Sequence, residues 1–315
     1  MFTRAALLTA ATVLSAAASM SAQDHVPPTP RGEAHDPHGV RVERIRLSTG
    51  VELEVAQAGP SEGAPVLFLH GITDSWFSFS LVLDRLPPGI RAIVPSQRGH
   101  GDSERPTCCY AVADFAADAV ALLDALGVAR ADVVGHSMGS IVAQRVAIDW
   151  PERVSRLVLI GSAASVATET GWAFEAMVQT LTDPVPPDFI HEFQASTVAV
   201  PPPAPFFAGI VHESGKLPAR VWKDALGGLL AEEARHDLTG IVAPTLVVWG
   251  SKDVFFPREE QDALVRAIPD ARLLVYEETG HSPNWERPDR FVQDVVAFLR
   301  RPVAMFDGSA TGAIR

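Results

Sequence analysis

Residues 131–149 read Ala-Asp-Val-Val-Gly-His-Ser-Met-Gly-Ser-Ile-Val-Ala-Gln-Arg-Val-Ala-Ile-Asp. The apolar run Ala131 to Gly135 has the length of a buried strand. Met138 to Asp149 has the pattern of a helix that begins at once and stops before Pro151. Ser137 therefore stands at a strand-to-helix turn, with Gly135 and Gly139 two residues to either side, where the lack of a side chain lets neighbouring backbone approach. A hydroxyl at such a turn projects above the edge of the sheet. The first amides of the following helix and the positive end of its dipole face the place where negative charge would develop. Ser137 is the candidate nucleophile.

Outward from this turn, short apolar runs alternate with longer amphipathic ones, the rhythm of a mostly parallel sheet flanked by helices. Strands are expected at Pro65 to His70, Ala92 to Pro95, Ala131 to Gly135, Arg156 to Gly161, Pro244 to Gly250 and Arg272 to Tyr276. A helix is expected over Val112 to Leu126, with Phe115, Ala119, Leu122, Leu123 and Leu126 on one face and Gly127 at its stop. The rhythm is lost between about Ser165 and Gly240. There the Pro-rich stretch Asp183 to Pro205 is flanked by Trp172, Phe174, Phe189, Phe206, Phe207 and Trp222, and a helical lid inserted between two strands accounts for it. The expected organisation is a sheet core over 41–164, a lid over 165–240, the rest of the core over 241–300 and a tail over 301–315.

A serine hydroxyl needs a base to take its proton. His281, in Glu278-Thr279-Gly280-His281-Ser282-Pro283 just after the last expected strand, should emerge at the same sheet edge as Ser137. His70, His100 and His136 sit beside glycines and read as structural, and His212 and His236 belong to the lid. The base needs a carboxylate on its other nitrogen to fix its tautomer. Asp253, in the turn Gly250-Ser251-Lys252-Asp253 after a strand, meets that need, although an aspartate there could instead cap the next helix. Oxyanion donors are expected at the Met138 amide, after the nucleophile, and at the Ile72 amide in His70-Gly71-Ile72-Thr73. Trp76 and Phe77 follow closely and, with His136, are candidates for the pocket wall, or else for the core.

With these residues in place the chain resembles the α/β-hydrolase superfamily, the lidded esterase, lactonase, haloperoxidase and epoxide-hydrolase group. The resemblance runs from about Val42 to Arg300. It rests on His70-Gly71, Arg98-Gly99-His100-Gly101-Asp102-Ser103, the turn at Ser137, Gly250 to Asp253, and Gly280-His281 followed by Pro283 and Glu286-Arg287-Pro288. It implies an α/β-hydrolase fold, mostly parallel with an inserted helical lid, and acyl-enzyme chemistry without a cofactor. One departure is Ser96, where the family usually carries Asp. Haloalkane dehalogenases and epoxide hydrolases have a carboxylate at the position of Ser137, so those chemistries are disfavoured. More narrowly, His70-Gly71-Ile72-Thr73-Asp74-Ser75-Trp76 with Ser96-Gln97-Arg98-Gly99-His100-Gly101 resembles serine-dependent esterases that open macrolide lactones. The expected activity is hydrolysis of a neutral or apolar carboxylic ester or lactone. The alternatives are cofactor-free perhydrolase or haloperoxidase activity and a ligand-binding protein that does not turn over.

The composition is compatible with this. The chain has 315 residues, is 47% hydrophobic and 20% charged, and carries a formal net charge of −12, which disfavours nucleic acid as a partner. A small-molecule substrate is expected. Arg4, the Ala-rich apolar run Ala5 to Ala18 and small residues thereafter have the layout of a signal peptide over 1–22, cleaved near residues 18 to 23, with a flexible leader over 23–40. The run is shorter than the ~20 residues that span a bilayer, so export is expected rather than stable membrane insertion. His35, Asp36 and His38 lie in the leader, which lacks the rigid support of a metal site, and no metal is expected. Cys108 and Cys109 are adjacent, too close for ordinary disulfide geometry, and are expected to be semi-buried thiols in a loop.

Overall fold

The computed structural model describes residues 39–232 and 237–301. The expected signal segment, most of the leader with His35, Asp36 and His38, then His236, and residues 302–315 of the tail lie outside the described residues. Eight strands run β1 (Arg41–Arg46), β2 (Glu52–Ala58), β3 (Ala64–Leu69), β4 (Ile90–Pro95), β5 (Ala131–His136), β6 (Val154–Ile160), β7 (Thr245–Gly250) and β8 (Ala271–Tyr276). They form one sheet in the order β1-β2-β4-β3-β5-β6-β7-β8. β3 to β8 are parallel, and β1 and β2 join antiparallel at the β4 edge.

Each parallel strand sends alternate side chains to opposite faces. Leu67, Leu69, Val133, Leu157, Leu159 and Val247 enter one apolar core, together with Phe115 and Leu122 of helix α1 (Val112–Ala125) and Ile141 and Val142 of helix α2 (Met138–Asp149). Val66, Phe68, Val134, Val158, Ile160 and Val248 enter the other, against Phe79 and against Phe291 and Val295 of the C-terminal helix Pro288–Leu299. Strands covered on both faces read as near-continuous apolar runs, which is why all six were visible in the sequence. β1 and β2 were not among them. β1 reads Arg-Val-Glu-Arg-Ile-Arg and is largely exposed, with the charges that protect a sheet edge from pairing with another chain.

Among the described residues four α-helices lie between β6 and β7, α3 (Glu169–Val178), α4 (Pro187–Ser196), α5 (Ala204–Gly215) and α6 (Ala219–Glu232). Pro187 opens α4 and Pro203 precedes α5, positions where the missing N–H costs nothing and the fixed φ suits a helix start. α4 and α6 pack on each other through Trp222, which is fully buried with Phe189 and Phe193 at 5.6 and 5.5 Å between ring centroids. Among the described residues no helix is long and apolar enough to cross a membrane.

One detail differs from the sequence reading. Cys108 and Cys109 are exposed and joined as a disulfide. Their Cα atoms stay 3.8 Å apart, and Cys109 takes a positive φ of 72°, a backbone adjustment not foreseen, while its carbonyl accepts from Arg98. At Ser96 a carboxylate arrives from elsewhere: Glu54 on β2 accepts from Ser96 Oγ at 2.8 Å and from the Asp102 amide at 3.2 Å.

Candidate active site

The sheet order reverses between β3 and β5, which are neighbours in register at Leu69 and Gly135. A crevice opens beyond the carboxyl ends of strands where an open sheet changes direction. The loop after β3 carries Ile72 and the turn after β5 carries Ser137. Ser137 has φ 51° and ψ −119°, a conformation that costs a non-glycine residue about 1–3 kcal/mol. Its surroundings enforce it. The Ser137 amide donates to Ile160 O at 2.9 Å, and Ser137 O accepts from the Ser140 amide at 2.8 Å and from Ser140 Oγ at 2.6 Å. A Cβ on Gly135 would lie 2.2 Å from Gly139 O, and one on Gly139 would lie 2.1 Å from Leu69 O. Both glycines are sterically required.

Met138 is the first residue of α2, so its amide has no partner within the helix. Neither it nor the Ile72 amide donates to another group among the described residues. Two buried donors are thus available at the end of β3 and β5, with the positive end of the α2 dipole behind one of them.

His281 and Asp253 are brought together. His281 Nδ1 lies 2.8 Å from Asp253 Oδ2, with the two side chains 4% and 0% exposed. Asp253 Oδ1 accepts from the amides of Phe255 and Phe256 at 2.8 and 3.1 Å. The carboxylate is therefore fixed through one oxygen and presents the other to the ring. It does not cap the next helix, which runs over Arg258–Ala267 with Pro257 before it. The loop that carries His281 is tied to the Asp253 turn where Lys252 N donates to Thr279 O at 2.8 Å.

To approach Ser137, His281 must reach from the end of β8 over β7 and β6, three inter-strand steps or about 14 Å. Gly161, at the end of β6, clears the way. A Cβ there would stand 2.5 Å from His281 O and 2.9 Å from its Nδ1, and its φ of +49° also favours glycine. Sequence reading did not single Gly161 out.

Ile72, Ser137 and His281 share one cavity, whose remaining wall is mainly Val166, Phe174, Phe193, Leu226, Leu229, Phe255 and Phe256. Thr170 is its other polar side chain, and among the described residues no charged one lines it. Such a space suits a mainly apolar ligand. The three pocket candidates are placed elsewhere. Phe77 stacks on Phe206 at 5.5 Å under Gly209 of α5, and Trp76 packs at the margin of the core that contains Phe79. His136 is buried behind the site, with Nε2 3.2 Å from His281 O. Closeness in sequence to Ile72 misled here, because the turn Trp76–Phe79 carries the rings away from the cavity.

Buried ionisable groups surround the site. Burial, reinforced by repulsion from His281, lowers His136 to about 3, so its ring is neutral near pH 7. His70 is fully buried and pushed well below the usual range, first by burial and then by His100. It accepts the Gln97 amide at Nε2 and donates to Gly71 O from Nδ1, pinning the loop after β3 to the segment that follows β4. Burial raises Asp74 to about 7, against the opposing hydrogen bond from Gln194.

Comparisons with known proteins agree with this architecture. A family model described as the alpha/beta hydrolase family matches residues 66–294. The 2-hydroxy-6-oxononadienedioate/2-hydroxy-6-oxononatrienedioate hydrolase of Burkholderia vietnamiensis is 31% identical, over 81% of this chain and 94% of its own. The 2-hydroxymuconate semialdehyde hydrolase of Pseudomonas sp. strain CF600 is 30% identical, over 80% and 92%. Among solved structures, an esterase from Exiguobacterium antarcticum superposes with a TM-score of 0.74 at 25% identity, covering 82% of this chain and 99% of that one. The relatives named are hydrolases, and the chain itself belongs to the alpha/beta hydrolase family.

Proposed function

We propose that this hydrolase cleaves an uncharged carboxylic ester or lactone through an acyl-enzyme on Ser137. The observation that carries the reading is the convergence on one apolar cavity of a strained serine, an imidazole backed by a fully buried aspartate, and Ile72 with its unengaged amide, while the unengaged Met138 amide directly follows the serine. In this mechanism His281 Nε2 takes the Ser137 proton as Oγ attacks the carbonyl, and Asp253 steadies the imidazolium that forms. The Ile72 and Met138 amides receive the oxyanion. His281 then protonates the leaving alcohol and activates water to release the acid.

The relatives' printed names denote carboxylate-bearing substrates, one of them a dioate. Among the described residues no Lys or Arg lines the cavity, so those that do line it offer such anions no counter-charge. That favours an uncharged ester for this chain. Within that class, the likeness of residues 70–76 and 96–101 to macrolide esterases makes a macrocyclic lactone the first large substrate to assay. The reading includes export, supported by the Ala-rich run at Ala5 to Ala18 and tested by sequencing the N-terminus of the protein recovered from outside the cytoplasm.

The test is a panel of p-nitrophenyl esters, macrocyclic lactones and carboxylate-bearing ring-cleavage products, with and without peroxide, for the wild type and Ser137→Ala. The expected result is addition of one water to uncharged esters or lactones by the wild type alone. Turnover only of the carboxylate-bearing compounds, or only with peroxide, overturns the proposal.

A further inference from the structure

The two catalytic loops are attached to the helices between β6 and β7 by buried polar contacts. Gln194, on α4, is 1% exposed, and its side-chain nitrogen lies 3.2 Å from Thr73 Oγ1, 3.2 Å from Asp74 Oδ1 and 2.8 Å from Ser214 Oγ on α5. With two N–H groups it serves two of these acceptors at a time. The Asp74 carboxylate sets the orientation of the amide, since the opposite one would turn an oxygen toward it. Thr73 and Asp74 directly follow Ile72, and Thr73 is held at φ 68°. The Gln194 Oε1 is buried with no partner. An apolar side chain here would spare the unmet Oε1 but would take from Asp74 Oδ1 its donor, so the amide is held to the loop after β3 by its N–H groups alone.

Phe193, the preceding residue of α4, lines the substrate cavity. At the far end of the same segment, the amides of Ala199 and Val200 donate to Glu286 Oε2 at 3.0 and 2.7 Å, and Glu286 Oε1 accepts from the amide of Gly280, next to His281, at 2.8 Å. A Cβ on Gly280 would meet Ala199 N at 2.6 Å, so the strap lies directly on the base loop. The segment 193–200 thus touches substrate space at one residue, the oxyanion loop at the next and the base loop at its end.

We infer that Gln194 is a positioning residue, which holds the Ile72 amide in place through Thr73 and Asp74 and so makes the helices over the cavity part of the oxyanion hole. The inference rests on the hydrolase reading above. A donor displaced by a fraction of an ångström stabilises the transition state less while leaving ground-state binding almost intact.

The test replaces Gln194 with Leu, of similar size and without polar atoms. Rates are measured on an uncharged p-nitrophenyl ester, per active site titrated with a phosphonate that labels serine. The expected result is a fall in kcat of about ten- to a hundredfold with KM within about twofold. Inhibition by an aryl trifluoromethyl ketone, whose serine adduct carries an oxyanion, should weaken by a like factor. Gln194→Met, unbranched and of the same reach, gives the same readout should the Leu variant fail to fold. An unchanged kcat, or a change confined to KM or to melting temperature, overturns the inference. Ser137→Ala beside them separates the two readings: full activity there sinks the hydrolase mechanism, whereas an inert Ser137→Ala with an unaffected Gln194→Leu sinks only the role of Gln194.

Discussion

His136 Nδ1 and Asp74 Oδ2 face each other at 4.0 Å, both side chains buried, and the imidazole nitrogen has no hydrogen-bond partner. With Nε2–H given to His281 O, Nδ1 is an acceptor, so a carboxylate opposite it is a second acceptor without a proton between them. Burial raises Asp74 to about 7 from 3.8. Between those values the folded protein binds a proton that the unfolded chain has released, so stability falls as pH rises through that window. Asp74→Asn keeps an oxygen for Gln194 and supplies an N–H for His136. Its melting temperature should exceed that of the wild type by several degrees at pH 8, and the gap should close towards pH 4. Thermal unfolding across that range checks it, and a gap that grows at low pH contradicts it.

Asp253 divides its two oxygens between fold and chemistry, which makes one exchange informative. Asn in its place still accepts the Phe255 and Phe256 amides at Oδ1, so the turn should persist. The other position becomes an N–H donor aimed at His281 Nδ1, which forces the proton onto Nε2 and leaves no base facing Ser137. The expected loss in kcat is on the order of 10⁴, as for this exchange in serine triads generally, with a melting temperature close to that of the wild type. Steady-state kinetics and calorimetry together check it. A loss of activity that follows unfolding would mean that Asp253 serves the fold instead.

Much of this site was legible because its demands are local. Gly135, Ser137 and Gly139 answer to one turn, and the six parallel strands, covered on both faces, are simple apolar runs. What stayed hidden depends on distant partners. β1 lies at an edge where charge replaces the buried-run pattern, and β2, mostly buried between β1 and β4, interleaves Glu52, Glu54 and Gln57 with its apolar residues. Gly161 is required by a histidine arriving from β8, and no neighbour in sequence signals this. Trp76 and Phe77 are next to the oxyanion loop in sequence but turn towards other cores, while Phe174, Phe193, Leu226 and Leu229 reach the cavity from helices whose packing sequence periodicity does not specify. Phe255 and Phe256 could have been found, since they follow Asp253 directly.

Gly161 can be tested against a glycine of similar backbone. Gly161→Ala strains a φ of +49° and also pushes a methyl group to 2.5 Å from His281 O. Gly127 has φ +66° and nothing within 4 Å of a Cβ. Both alanine variants should lose about 1–2 kcal/mol of stability from the left-handed backbone. Only Gly161→Ala should also lose kcat, by about tenfold or more, because its methyl group displaces the base. Equal kcat in the two variants would show that the β6 terminus does not constrain His281.

Phe174 lies face to face with Phe193 at 5.0 Å and 9° between planes, and both form the cavity wall. If that wall receives the apolar part of the substrate, Phe174→Ala removes contact area that a long or bulky acyl or alcohol group covers and an acetyl group does not reach. At roughly 25 cal/mol per Å² of apolar surface, losing several tens of Å² of contact weakens binding by about 1–2 kcal/mol. The expected outcome is a drop in kcat/KM of about tenfold for a bulky uncharged ester, with an acetate ester within about twofold of wild type. Kinetics on the two esters with the same preparation decide it. An equal drop for both would place Phe174 in support of Ser137 or His281 rather than against the substrate, and a gain for the bulky ester would mean that the wild-type wall is too tight for it.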